Sequence, residues 1–505
     1  MSVPAGPQAS ASTDATRSDG FVKALTLTDA TMLVAGSMIG SGIFIVSADI
    51  GRTVGSPFML LMAWVLTGVM TLLGALAYGE LAAMYPKAGG QYVFLRESMG
   101  PLMGFLYGWT FFVVIQTGTI AAVGVAFGRF LGVLFPAVSP ERFGWFPQLD
   151  VTTPGGVIEL GLNPQRLVAL ISIWILTWIN LRGVREAKIV QTTLTIAKTG
   201  ALAFLLLLGF TLGRNADAIA VNFGPGFFGD LSNLGPTFVV AFGAALVGSL
   251  FSSDAWNNVT FAAAEVRDPA KNLPRALVLG TGLVTVLYLA TNLSYLNVLP
   301  FAGSADGADV MARGITHATQ DRVGVAVAET MFGASAATVM AIAILVSTFG
   351  CNNGLILAGA RVYWAMAKDR LFFAKAGELN ANGVPAWALV AQSIWTSLLC
   401  LTGTYGQLLD YVIFAALAFY ALTTIGLFIL RRTRPDAPRP YRAIGYPVLP
   451  ALYVVLATGV AVILLIADKT RAQALSGLAL VLLGVPVYFA WRSARRDPSA
   501  ASAAG

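Results

Sequence analysis

Residues 36–44 read GSMIGSGIF, from Gly36 to Phe44, in the middle of the first long apolar stretch of the chain. Three glycines and two serines in nine residues are poor helix material. In hydrocarbon an unwound backbone leaves polar groups unpaired, at a cost that only a partner can offset. A break of this kind persists where it lines a cavity or binds a ligand. The stretch therefore marks a substrate site inside a membrane, and it points to a transporter.

Working outward, the 505 residues are 56% hydrophobic and 11% charged. Soluble domains carry about 25% charged residues, so this chain lacks the charge to coat a water-soluble surface and belongs in a lipid bilayer. The apolar runs give twelve spans: 27–50, 57–84, 101–134, 167–182, 190–213, 236–262, 275–299, 327–367, 386–403, 408–430, 448–467 and 474–491. Residues 1–25 read as a disordered N-terminal tail rich in Ala, Ser and Thr, and 493–505 as a second tail. Cys351 and Cys400, the only cysteines, fall inside apolar runs, which excludes a disulfide framework.

The net charge of +7 is a topology signal and not a nucleic-acid one. With an inside N-terminus, twenty-two of the 32 lysines and arginines fall on the inner side and nine on the outer. That asymmetry puts both termini in the cytoplasm of a multi-pass protein of the cell membrane. The one basic residue left over, Lys198, lies within a span.

The sixth span carries a second break, GSLFSSDAW from Gly248 to Trp256, and Gly248, Ser249 and Ser253 align with Gly36, Ser37 and Ser41. Interrupted spans at matching places in two halves point to inverted repeats with the site at the bilayer midplane. Spans one to five (26–213) and six to ten (236–430) are the expected repeats, with spans eleven and twelve (431–492) outside them. Small residues that let helices pack closely are the ordinary alternative.

A broken helix offers free N–H groups where it restarts and free C=O groups where it stops. The amides of Ser41, Gly42 and Ile43 suit a carboxylate. The carbonyls near Met38 and Ile39, and from Phe251 through Ser252 and Ser253 to Asp254, suit an ammonium. A ligand carrying both charges on one carbon is an α-amino acid. Gly40 and Gly42 allow close approach. Phe251 reads either as a lid over the ligand or as packing.

At this point the residues resemble a family. GSMIGSGIF, YPKAGGQYVFLRESMGPLMGFLYGW (85–109) and EVRDPAKNLPRAL (265–277) are similar to the amino acid–polyamine–organocation superfamily. ATNLSYLNVLP (290–300) and STFGCNNG (347–354) look most like its L-type amino acid transporter branch. The resemblance runs from about residue 24 to 430. It implies an all-α membrane fold of twelve transmembrane helices, a five-plus-five inverted repeat with helices 1 and 6 broken, and amino acid transport by alternating access. It implies that the carboxylate sits on Ser41 and Gly42, that Phe251 is the outer gate and that Asn353 faces the pocket. Animal L-type members bond a single-span glycoprotein through an outer-loop cysteine; this chain has none between 135 and 166, so no covalent heavy-chain partner is expected.

Lys198 lies about eight residues into its span, roughly 12 Å deep at about 1.5 Å per residue, too deep for easy snorkelling. By the resemblance it stands where sodium-coupled relatives hold an ion. Its ammonium is expected on span-one carbonyls near Gly36 and on the hydroxyls of Ser347 or Thr348, which implies Na⁺-independent transport. Asp254 has three open readings: selection of a cationic side chain, a proton site, or a structural bond to the broken helix or to Lys198. Asn257 reads as a ligand to substrate or opened backbone, and Trp256 as packing. Glu265, Arg267, Asp268, Lys271 and Arg275 read as a solvated inner loop before an ion-pair gate. Neutral L-amino acids are the expected substrates, with a proton-coupled or cationic amino acid or polyamine permease as the alternative. No cofactor, metal site or catalytic residue is expected: His317 is the only histidine, no nucleophile–base set exists, and no filter or charged ring suggests a channel.

Overall fold

The computed structural model describes residues 17–18, 21–141, 143, 146–147, 149–153, 156–230, 235–402 and 405–494. The chain is a helical bundle. Its helices are α1 (Leu27–Met38), α2 (Val46–Val54), α3 (Pro57–Met84), α4 (Gln91–Met99), α5 (Pro101–Thr110), α6 (Gln116–Leu134), α7 (Pro164–Leu181), α8 (Val184–Phe210), α9 (Ala216–Asn222) and α10 (Pro236–Ser252). They continue with α11 (Asn258–Phe261), α12 (Pro269–Val298), α13 (Val310–Arg313), α14 (Val323–Phe332), α15 (Ala334–Lys368), α16 (Ala386–Cys400), α17 (Tyr405–Thr433), α18 (Val448–Ile466) and α19 (Arg471–Ala494). A π turn at Phe111–Ile115 joins α5 to α6. Among the described residues, nine helical stretches are long and apolar enough to cross a membrane, and α10, α14 and α16 are shorter apolar helices.

Local signals set the starts. Thr26 and Asp29 form a reciprocal capping box on α1. Ser56 and Asn163 cap α3 and α7, each followed by proline at the first helical position. The expected first span is two helices, with the chain extended at Ile39 and in a 3₁₀ turn over Gly42–Phe44. The expected sixth span stops at Ser252 and resumes only as the four-residue α11. The eighth, expected as one run over 327–367, is cut by Gly333 at φ 77°, a left-handed conformation that glycine adopts without strain. The all-helical expectation bends slightly: Leu149–Thr153 and Gly156–Leu160, rich in β-branched residues, pair as an antiparallel hairpin in the α6–α7 connection.

The centre of the bundle is α1, α12 and α3 packed in sequence, with α15 lying against α1, α6 and α8. The tail expected over 1–25 ends earlier than its composition suggests. Phe21 and Leu25 are buried, and Phe21 meets Trp364 edge-on at 4.8 Å. Leu25 pairs with the strand-like Val266, its N–H donating to the Glu265 carbonyl at 2.9 Å. Two apolar side chains on a polar tail are enough to fix it. Residues 1–16 and 19–20 of that tail, and Arg142, Arg495 and Arg496 of the charge count, lie outside the described residues.

Candidate functional site

The two breaks meet. A Cβ on Gly42 would overlap the Ser252 hydroxyl and stand 3.0 Å from the Ser252 Cα, so only glycine permits this approach. Residues Met38 to Ile43 and Phe251 to Asp254 are all buried, as are Trp256 and Asn257.

The end of α1 presents five carbonyls, and each accepts from a side chain of another helix. Lys198 of α8 donates to Gly36 at 2.5 Å and to Ile39 at 2.6 Å. The Cys351 thiol of α15 reaches Ser37 at 3.0 Å. The Tyr288 hydroxyl of α12 reaches Met38 at 2.9 Å. Ser347 of α15 bonds Ile39 at 3.2 Å and Gly40 at 3.1 Å. A helix end buried without such partners would carry unsatisfied acceptors. Lys198 also reaches the Ser347 backbone carbonyl at 3.4 Å. This differs from the expected contact to hydroxyls. The Ser347 hydroxyl is turned to span one, and that of Thr348 bonds back to Ile344 and Leu345 in its own helix. An ammonium has only protons to give, so carbonyls are its natural neighbours.

Tyr288 ties the second break to the first. Its hydroxyl is also 3.0 Å from the Ser252 carbonyl. Beyond Ser252 the chain turns through Ala255 at φ 62°, a conformation L-residues rarely adopt, and α11 begins. The turn aims Asp254 at α17, where the Tyr420 hydroxyl donates to its carboxylate at 2.5 Å. Tyr420 is 3.4 Å from Asn257, whose amide donates to Gln91 at 2.8 Å, and Gln91 donates to Thr423 at 3.0 Å. Of the readings open for Asp254, its contacts are with Tyr420 and with the backbone amide of Ala255 in the break, and not with Lys198. Trp256 packs edge-on against Tyr78 at 4.7 Å and beside Tyr420 at 5.4 Å.

Asn353 is not brought to this place. It bonds Asn180, Ala187 and Gln191, in the seam of α15 with α7 and α8. The preceding helical turn of α15, through Ser347 and Cys351, is what faces the break. Sequence reasoning gave no role to Tyr288, Tyr420, Gln91, Thr423 or Cys351. For all but Gln91, which lies between two spans, the available signal was a polar group inside an apolar run, where an unpaired hydroxyl or amide is costly.

Two cavities flank Asp254. One, about 10 Å³, is lined by Gln91, Gln116, Asn257 and Tyr420; the other, about 20 Å³, by Thr71, Ser253, Trp256 and Tyr453. Each holds a water-sized molecule and neither holds an amino acid. Ion pairs lie at both ends of the bundle. At the end rich in basic residues, Glu265 and Arg361 form an ion pair at 2.9 Å with each side chain 1% exposed. Lys188 bonds Asp29 at 2.6 Å, and Arg96 pairs with Asp369. Glu265, read from sequence as part of a solvated inner loop, is instead wholly buried, because it meets Arg361 of α15 there. Arg267, Lys271 and Arg275 are exposed. At the opposite end Arg52 meets Asp321 at 2.6 Å and Lys469 meets Asp49 at 2.8 Å. Among the described residues no cluster of three His, Cys, Asp or Glu could hold a metal ion.

Comparison with known proteins gives the setting for this geometry. The family model described as "Amino acid permease" matches residues 25–487. The human "Large neutral amino acids transporter small subunit 2" is 30% identical over 497 residues, 96% of this chain and 84% of that protein. The "Serine/threonine exchanger SteT" of Bacillus subtilis is 30% identical over 477 residues, 94% of this chain and 98% of that one. The rat "b(0,+)-type amino acid transporter 1" is 28% identical over 480 residues, covering 93% and 89%.

Proposed function

The chain belongs to the amino acid permease family, transporters and not enzymes, and from that premise we propose a secondary-active carrier that exchanges or imports neutral L-amino acids by alternating access, without sodium. In this reading twelve helices cross the cell membrane with both termini in the cytoplasm. Residues 26–213 and 236–430 are the inverted repeats, and 431–492 add two further helices. No cofactor and no disulfide-linked partner takes part.

The observation that carries the reading is the junction of the two breaks. The turn that restarts at Gly42 lies against Ser252, and Tyr288 bonds the carbonyls of both Met38 and Ser252, so the groups of the two breaks stand together. A carboxylate on Ser41, Gly42 and Ile43 and an ammonium on Met38 and the Phe251–Asp254 carbonyls fit that space, with Phe251 covering the ligand. Two of the relatives, a serine/threonine exchanger and a large neutral amino acids transporter, support neutral substrates.

Lys198 supports the independence from sodium. Its ammonium fills a cluster of three carbonyls, Gly36, Ile39 and Ser347, which is the kind of oxygen cage that a monovalent cation would use. Uptake of labelled neutral amino acids into proteoliposomes is expected to be equal with and without a sodium gradient, and lost in Lys198→Met. Stimulation by sodium overturns the reading.

A second reading rests on Asp254. A buried carboxylate bonded by Tyr420 beside a water-sized cavity suits proton exchange or recognition of a cationic side chain. Uptake driven by an imposed pH gradient, or competition by arginine and putrescine that Asp254→Asn abolishes, would favour it over neutral exchange.

A further inference from the structure

A cavity of about 640 Å³ opens at the basic end of the bundle, away from the central site. Three segments form it: the α4–α5 joint at 99–102, the loop after α15 at 370–371, and the end of α19 at 488–492. Its lining is two-natured. Leu102, Leu371, Tyr488 and Phe489 give apolar walls, while Arg370 and Arg492 are exposed and charged. The other arginines nearby have acids: Arg96 holds Asp369, and Arg434 holds Glu97. Arg370 and Arg492 are in no ion pair among the described residues. The shape is held from behind. The Trp491 indole donates to the Arg370 carbonyl at 3.3 Å, and Phe373 stands edge-on to Trp491 at 5.0 Å.

We propose that this cavity binds one anionic phospholipid, its phosphate between Arg370 and Arg492 and its acyl chain along Phe489 and the seam of α5 with α19. Guanidinium groups match phosphate oxygens two at a time, so unpaired arginines at a membrane edge are receptors for that group. Tryptophan and tyrosine beside them sit at the level of lipid headgroups. The apolar walls argue for a lipid over free phosphate, which would use only the two arginines. Phe489 is 55% exposed and Phe373 51%, so the apolar side of the cavity continues onto the outer surface of the bundle. Charge complementarity extends along the chain, because Arg495 and Arg496 follow within four residues of Arg492.

The test uses the full chain purified in detergent, with bound lipid counted by native mass spectrometry and stability read by thermal unfolding. Phosphatidylglycerol is expected to bind and raise the unfolding temperature, and phosphatidylcholine and glycerol 3-phosphate are not. Each arginine contributes about fivefold in affinity, so Arg370→Gln with Arg492→Gln weakens phosphatidylglycerol by about thirtyfold. Lysine at both positions restores most of the loss, and the lipid-free unfolding temperature stays that of the parent. Unchanged phosphatidylglycerol binding in the double glutamine variant overturns the proposal. Equal binding of phosphatidylcholine does so too, and equal binding of glycerol 3-phosphate reduces the cavity to a simple anion site. None of these readouts depends on transport.

Discussion

Arg361→Met tests whether the closed basic end is held by one buried charge pair. Glu265 and Arg361 are each 1% exposed and bonded at 2.9 Å. Removing the guanidinium leaves a carboxylate in the protein interior with no countercharge, a loss of about 3–5 kcal/mol. Water can relieve that loss only if the basic end opens. The balance between closed and open forms therefore shifts toward open by up to the same energy, about 150-fold to about 4,000-fold at about 1.4 kcal/mol per decade. The chain carries its own reporter. The Cys351 thiol is buried against Ser37 at the end of α1, and it meets water when α1 moves from α15. In a Cys400→Ser background, labelling of Cys351 by a small water-soluble maleimide should be slow in the parent and at least a hundredfold faster in Arg361→Met. Replacing both partners, Glu265→Met with Arg361→Met, removes the stranded charge and should return labelling to near the parent rate, since buried pairs often exchange for apolar residues at little cost. If the single variant labels at the parent rate, or if the double variant labels as fast as the single one, the pair is not the latch.

Two further outcomes follow from other contacts. Gly42→Ala drives a methyl group into Ser252, overpacking worth about 1–3 kcal/mol that falls on the junction of the breaks; amino acid uptake should collapse and recover in part when Ser252→Gly is added, and unaltered uptake in the single variant would show that the junction is not so tight. At the basic surface, burial pushes the Glu97 carboxyl up, but hydrogen bonds from Arg96 and Arg434 outweigh it and hold the group below its ordinary value of 4.5. An acid depressed on folding adds stability above its unfolded value and loses it as pH falls through the folded one. The unfolding temperature should thus be flat from pH 8 to about pH 5 on this account and drop below about pH 4.5, with a shallower drop in Glu97→Gln.

The breaks were legible because glycine and serine in an apolar run contradict helix, and nothing in the sequence hides that contradiction. Lys198 was legible for a similar reason, since an ammonium in hydrocarbon must have acceptors. What lay beyond reach was which groups answer which need. Tyr288 and Tyr420 read as ordinary aromatics of apolar spans, and only the crossing of α12 and α17 with the breaks gives their hydroxyls a purpose. Asn353 was drawn to the pocket by resemblance, yet a rotation within α15 gives that side to Ser347 and Cys351. Glu265 read as solvated because it heads a charged loop, whereas it is buried against Arg361, which lies inside the eighth span. Membership of a charged loop is a poor guide to burial when a buried countercharge faces one of its members.

On the proposed assignment of the junction as the amino acid site, the water-sized cavities and Tyr288 set how a substrate would enter. With room for water only, an amino acid gains its space by separating Gly42 from Ser252. Tyr288 resists that separation, yet its hydroxyl has one proton and stands near two carbonyls, Met38 at 2.9 Å and Ser252 at 3.0 Å. It can donate to one at a time. The two carbonyls therefore share a single donor. An incoming ammonium has three protons, enough to serve both carbonyls and a third oxygen. At the proposed amine site, binding would replace one shared donor with a donor for each carbonyl, and that gain would offset part of the cost of parting the breaks. An apolar amine-free ligand of the same size would meet the resistance without that return, so on this argument the substrate amine is required before side-chain fit begins to matter.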